Sequence, residues 1–332
     1  MRVGKIPENV LKRSVLKQIK YKREDVQVHF GVGEDGSVFL AAPDESVVLS
    51  SASVTGHRVG SGIRAVFGAV NELWASGAEP IGVTVSIFMP ELSEEADLKA
   101  LVKEMAEVCA SLQIEMLGVH TEVSPVVSEW ILSVNGIGKV KKGENLCTKS
   151  ACPGQDIVLT KWVGLEGTAI LATEKEEELC SRYSQTFVGK AKDMMKALSV
   201  EGEAAAAREY GISAMHAVTE GGIFAALWDV AAASGTGLQV ELKKVPIRQE
   251  TVEVCEFFDL NPYQLLSGGC LMILCDKGYD LVDFLEKWGI ESAVIGKLTD
   301  DHDKIIIYDE EETRYLEPPK ADELYKVIFA KE

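Results

Sequence analysis

The sequence predicts a two-domain α/β (α+β) protein, each half mixing several strands with two or three helices. Three observations carry that expectation. The chain has 332 residues, 46% hydrophobic and 26% charged, which is globular composition at about two domains' length. Short apolar, β-rich runs alternate with stretches of helical spacing in both halves. Between the halves, "KKGENLCTKSACPGQ" breaks the apolar periodicity and closes on a Pro-Gly turn. The boundary is placed near residue 150. This gives an N-terminal domain over 1–150, a C-terminal α/β sandwich domain over 151–300 and a tail over 301–332 packed on the second domain. No short-period repeat is visible.

Each element follows from its pattern. Ile6, Val10, Leu11, Val15, Leu16 and Ile19 recur at helical spacing and predict an amphipathic helix over 6–19. "VFLAAP" and "ESVVLSSAS" predict two neighbouring strands, split at Pro43 and Asp44. In "GSGIRAVFGAVNELWASGAEP", Ile63, Val66, Phe67, Val70 and Leu73 form one stripe, and Gly77 ends the helix. "IGVTVSIFMP" reads as a strand. "SEEADLKALVKEMAEVCASLQ" reads as a helix with acids in its first turn, where the macrodipole favours them. "IEMLGVHTEV" and "EWILSVNGIGKV" are further strands. The second half opens on the strand "DIVLTKWVG". The helix "LEGTAILATEKEEELC" follows, then a helical region over 190–210. "GISAMHAVTEGGIFAALWDVAAASG" reads as strand, glycine turn and helix. "GLQVEL", "CLMILCDKG" and "SAVIGKLTD" are strands, and "YDLVDFLEKWG" is a helix. A short strand and helix close the tail. Trp74 and Trp228 fall on apolar helix faces and belong to the core.

Charge and cysteine usage exclude some classes. The formal net charge is −18, which disfavours nucleic acid as a partner because phosphate backbones need a basic footprint. The seven cysteines are an odd count without a CxxC pair, as expected of thiols in a reducing cytoplasm. "MRVGKIPENVLKRSVLKQI" is charged and lacks the apolar core of a signal peptide. No membrane span is visible, so a cytoplasmic protein without membrane contact is expected. "KEEEL" and "DEEET" read as solvated charge runs. Lys161, beside the strand that opens the second half, reads as an exposed lysine or as one that meets a phosphate. No nucleophile elbow or Walker-type loop is present.

Gly221 and Gly222 stand just before an apolar-periodic helix. Glycines there let backbone N–H groups approach an anion, and the helix N-terminus adds partial positive charge. Thr219 can cap the helix or offer a hydroxyl. A tightly packed helix start accounts for the same residues.

Read in order, "GVGEDGSVF" (31–39), "LSSASVTG" (49–56), "NELWASGAEP" (71–80), "GVHTEVSP" (118–125), "PGQDIVLTKWVGLEGTAILA" (153–172), "HAVTEGGIFAALWDVAAASGTG" (216–237) and "CEFFDLNPYQLLSGGCLMI" (255–273) resemble one superfamily. Its members include AIR synthase, the hydrogenase maturation factor HypE, selenophosphate synthetase and thiamine monophosphate kinase. "HTEV" and "GLEGTAILA" look most like the AIR synthase-related, HypE-like branch. The resemblance spans residues 5–300. It implies an N-terminal domain whose strands pair with a second copy in a homodimer, and a second α/β domain. It also implies ATP with its phosphates on glycine-rich turns, and Mg²⁺ on N-terminal carboxylates. The implied chemistry is phosphoryl activation of a small carboxamide, carboxylate or similar acceptor, alongside a maturation partner protein.

Carried over residue by residue, the resemblance places Asp35 and Glu72 as metal ligands and His120 and Glu72 as catalytic groups. Asp35, Asn71, Thr121, Glu122, Thr219, Gly221 and Gly222 would hold the nucleotide. His120 suits phosphate contact or proton transfer near neutral pH. A satisfied polar histidine at a strand end is the alternative, as an exposed helix acid is for Glu72 and a solvated turn is for Asp35.

The sequence also departs from the family. Ala52 stands where "TTDxxTG"-like turns carry an acid, and Ala217 where "DxTxGG" carries one. Glu72 replaces an aspartate of the "ND" motif, and Mg²⁺ is sensitive to such a change in reach. Val119 replaces a glycine. The C-terminal "LYKVIFAKE" lacks the cysteine that HypE modifies, so a HypE-type thiocyanate on that residue is not expected. A non-catalytic, dimeric binding or scaffold protein is the alternative that Ala52 and Ala217 motivate.

Overall fold

Period-two alternation shapes the first half of the chain. A computed structural model describes residues 1, 3–34, 36–56, 60–308 and 312–328. Contacts divide it into two units. Unit 1 is Met1–Leu73 with Ala78–Asn145, and unit 2 is Trp74–Gly77 with Leu146–Glu332.

Unit 1 holds β1 (Gly4–Lys5), β2 (Val26–Val28), β3 (Val38–Phe39), β4 (Glu45–Thr55), β5 (Glu79–Met89), β6 (Glu115–Val123) and β7 (Ile131–Lys141). Five of these form one sheet in the order β1-β6-β5-β7-β4. β5 and β6 run parallel, so a crossover must join them. That crossover is α3 (Glu95–Ser111), started by a reciprocal Glu94–Asp97 capping box. The two runs expected to be neighbouring strands are not paired. β3 pairs with β2 in a separate ribbon, while β4 pairs with β7 along its whole length. The predicted helix over 6–19 is shorter: α1 (Glu8–Val10) passes into a π-helical stretch, Leu11–Leu16.

The two faces of the five-stranded sheet differ. α2 (Ser61–Ala75) lies on the face of Ser50, Ala52, Val85 and Val119, where Ser50 Oγ donates to the Ala69 carbonyl at 2.7 Å. The other face carries Val47, Leu49, Thr84, Ser86, His120 and Glu122 and is open in the single chain. Leu49, on the edge strand β4, is 72% exposed.

Unit 2 contains β8 (Asp156–Thr160), β9 (Ala214–Val218), β10 (Gly237–Glu241), β11 (Cys270–Cys275), β12 (Ser292–Thr299), β13 (Lys304–Ile307) and β14 (Thr313–Tyr315). Their order is β14-β13-β10-β12-β8-β11-β9. Every residue of β11 is buried, as in a strand covered on both faces. The helices are α4 (Leu165–Glu174), α5 (Glu176–Cys180), α6 (Gln185–Asp193), α7 (Glu201–Tyr210), α8 (Gly222–Ser234), α9 (Gln249–Phe257), α10 (Gly278–Lys287) and α11 (Tyr325–Ile328). One apolar cluster gathers Leu159, Ile223, Leu227 and Met272, with Trp228 packed against it. A second gathers Leu171, Val188, Val254 and Leu265. Residues beyond 300 are built into the unit: β13 pairs with β10, Leu316 joins the first cluster and Leu324 the second.

Lys161 is neither an exposed lysine nor one aimed at a ligand. Its ammonium lies 2.6 Å from the Glu203 carboxylate, with the two side chains 14% and 7% exposed, and it also donates to the Ala197 and Ser199 carbonyls. Among the described residues, no helix is long and apolar enough to cross a membrane.

Candidate functional site

In unit 1 a groove of about 560 Å³ opens on the uncovered face of the sheet. Lys5, Gly31, Thr84, Ser86, Gly118 and His120 line it. Strand register explains the grouping. Ser86 stands beside His120 across β5 and β6, and Lys5 stands opposite Glu122 across β1 and β6. His120 and Glu122, two residues apart on one strand, point the same way, and His120 Nε2 lies 3.4 Å from Glu122 Oε2. Both side chains are well exposed, so the pair adds little to stability and leaves the imidazole open to a ligand. The Phe88 ring flanks it at 6.0 Å.

The other predicted residues of unit 1 sit elsewhere. Thr121 alternates to the helix-covered face and is 2% exposed, with its carbonyl accepting the Ile6 N–H at 3.4 Å. Asn71 is buried and Glu72 is half-buried on α2, the helix packed on that same covered face. The structure therefore brings His120 and Glu122 together and leaves Asn71 and Glu72 across the sheet. Asp35 lies outside the described residues. Its neighbour Glu34 exchanges both backbone bonds with Gly31 at 3.2 Å, which makes the start of that loop a tight turn.

Magnesium needs hard oxygen donors. Ala52 offers none, and its methyl faces α2: a Cβ added at Gly68 would lie 3.1 Å from it. Ala217 is buried on β9. Among the described residues, no three His, Cys, Asp or Glu side chains are grouped to hold a metal ion.

In unit 2 the turn Thr219–Gly222 precedes α8. Gly221 and Gly222 have φ of 79° and 64°, the left-handed region that favours glycine. A Cβ on Gly222 would lie 2.6 Å from the Tyr263 carbonyl oxygen, so the turn is also fitted to the 261–266 loop. The amides of its two glycines already have partners. Gly222 N–H donates to the Thr219 carbonyl at 3.2 Å, and that carbonyl also accepts the Ser267 N–H. Gly221 N–H donates to Asp322 Oδ2 at 2.7 Å. Asp322 is 2% exposed and accepts a second N–H, from Leu324, at 2.8 Å. Burial lifts its carboxyl from 3.8 to about 6, against the pull of the Leu324, Gly221 and Leu266 amides and with like-charged Glu220 adding to the rise. The Gly221 amide, one of those expected to face a phosphate, is thus paired with a carboxylate of the same chain. Sequence reasoning missed Asp322 because it stands 101 residues away. The local signal was an Asp-Glu pair ahead of a short apolar run.

Residues 33–140 match the N-terminal domain of AIR synthase related proteins, and residues 152–309 match the C-terminal domain. The chain belongs to the AIR synthase-related family. Among AIR synthase-related proteins, a putative hydrogenase expression/formation protein of Methanocaldococcus jannaschii is 27% identical, over 98% of this chain and 97% of its own length. The carbamoyl dehydratase HypE of Azotobacter vinelandii is 26% identical, over 92% of this chain and 87% of its own. A crystal structure of the hydrogenase maturation protein HypE in complex with ATP superposes with a TM-score of 0.73 at 17% identity, covering 95% of each chain. That likeness extends the family assignment to the fold of both domains.

Proposed function

We propose that this AIR synthase-related chain binds ATP and uses it to activate a small carboxamide, carboxylate or similar acceptor by phosphoryl transfer, within a maturation pathway. The observation that carries the reading is the unit 1 groove, where an imidazole with a carboxylate beside it, two hydroxyls and a glycine turn line one cavity. The carbamoyl dehydratase and hydrogenase-formation relatives and the ATP-bound HypE support it. In this reading, Thr84 and Ser86 orient polar groups of the ligand. The acceptor oxygen bonds to the γ-phosphorus as the bond to the departing ADP oxygen breaks, and with a carboxamide acceptor the N–H proton released passes to His120. The imidazolium so formed is stabilised by Glu122. Catalysis of this kind rests mainly on positioning and electrostatics. Val47 and Leu49, exposed on the edge strand β4, support a second copy of the chain on the open face.

Calorimetric titration with a non-hydrolysable ATP analogue tests the proposal. The natural chain is expected to bind, and His120→Asn to bind about 10-fold more weakly, the size of one charge-assisted contact. Parallel titrations with magnesium and with EDTA read whether a metal takes part. Absence of binding in both would refute the ATP reading and favour a dimeric binding or scaffold protein without turnover.

A further inference from the structure

Glu115, the first residue of β6, is a fully buried carboxylate whose side-chain partners all come from one upstream segment. Its Oε1 accepts from Lys22 Nζ at 2.9 Å and lies 2.7 Å from His29 Nδ1, and its Oε2 accepts the Arg23 N–H at 2.8 Å. A buried carboxylate is costly unless it is paired and hydrogen-bonded, so the segment must lie against β6 for this charge to be met. Arg23 adds ion pairs to Asp25 and Glu79, and Lys139 adds one to Asp25. The chain runs from His29 directly into Phe30, Gly31, Val32 and Gly33, which line the groove. On the far side of the loop, Ser37 Oγ donates to the Leu117 carbonyl at 2.5 Å. Both ends of the loop are therefore bound to the strand that carries Gly118 and His120 into the same groove. Between those ends the loop has little packing of its own. A Cβ on Gly31 or Gly33 would meet nothing within 4 Å, and Val32 is 43% exposed. Of the four lining residues of the loop, only Phe30 is buried.

We propose that Glu115 is a positioning residue for the groove: through Lys22, Arg23 and His29, its carboxylate sets where Phe30–Gly33 stand relative to Gly118 and His120. Glu115 does not itself line the groove, so it acts through the loop. The inference rests on the ATP reading above and adds to it the residue that fixes the loop wall. A ligand that binds only when the wall is in place has its apparent affinity reduced by that fraction. A wall in place about one-tenth of the time therefore weakens binding about 10-fold.

Titration of the full chain with a non-hydrolysable ATP analogue, in the natural form and as Glu115→Gln, tests the assignment. Glutamine keeps the shape and one oxygen acceptor but removes the charge. Glu115→Gln is expected to bind about 10-fold more weakly, and its ligand-free hydrogen exchange over 22–34 to rise about 5-fold or more. Ile81→Val is the control, since it trims a fully buried residue of β5 that does not line the groove. It lowers stability and is expected to leave the affinity within about 2-fold. A Glu115→Gln chain that binds as tightly as the natural one would overturn the assignment and leave the ATP reading standing. Equal weakening in Ile81→Val would also overturn it, because the loss would then follow stability and not the loop. No binding by the natural chain would overturn the ATP reading and this assignment with it. Should Glu115→Gln fail to fold, Lys22→Met and His29→Gln, whose side chains reach solvent, decide by the same titration. Each is expected to weaken binding about 3-fold or more, the size of one net hydrogen bond, and unchanged binding in both would overturn the assignment.

Discussion

Asp322→Asn isolates a buried carboxyl whose titration has a defined sign. Folding raises its pKa from 3.8 to about 6, so between those values the folded chain holds a proton that the unfolded chain has lost. Stability from this group is fully present below about 4 and falls as pH rises through about 6. A displacement of that size weighs about 3 kcal/mol between the two protonation states, as an upper figure. Asparagine removes the titration and gives up one acceptor of the Gly221 and Leu324 bonds, a pH-independent loss of about 1 kcal/mol. Urea unfolding of both proteins at half-unit steps from pH 4.5 to 7 measures the difference. Other carboxyls titrate in both proteins and cancel. The natural chain is expected to be the more stable at the acid end and to lose that advantage by about 1–3 kcal/mol toward pH 7. Two curves that stay parallel within about 0.5 kcal/mol over the window would refute the burial argument, since an open carboxyl has no such gap to close.

Two further outcomes follow from contacts elsewhere. Lys161→Met leaves Glu203 as a buried charge without its ammonium and should cost about 3–5 kcal/mol in urea unfolding. The double variant with Glu203→Leu should recover most of it, and equal losses in single and double variants would show that the charge pair is not what matters. Leu49→Glu places a charge on the open edge strand β4, and sedimentation equilibrium should then show a shift from dimer to monomer. An unchanged mass would remove β4 from the interface.

Much of the fold was legible because its signals are local. Val66, Val70 and Leu73 of the predicted stripe are fully buried on α2, with Ile63 and Phe67 half-buried, and the acids after Ser93 begin α3 with a capping box. What failed depended on distant partners. Val38 and Phe39 look like the first of two adjacent strands, yet their partner is Val26–Val28 upstream. Nothing near Lys161 announces Glu203 on α7. α9 is not among the elements expected from the sequence, although Thr251, Val254 and Cys255 have helical spacing and are buried, because its short apolar face is interrupted by Glu250, Glu253 and Glu256. At the site, strand alternation by itself puts His120 and Glu122 on one face. That same alternation turns Thr121 away from them, and only the packing of α2 reveals that Asn71 and Glu72 lie behind the sheet.

The two alanines at the family's acid positions bear on how such a lineage can change. Ala52 abuts the glycine of a packed helix, and Ala217 is sealed within a strand. An aspartate restored at either place alone would carry a charge into packed surroundings before any cation were there to meet it, a cost of several kcal/mol. An acidic side chain at either position would therefore have to arrive with its own neutralising partner, which no single change supplies.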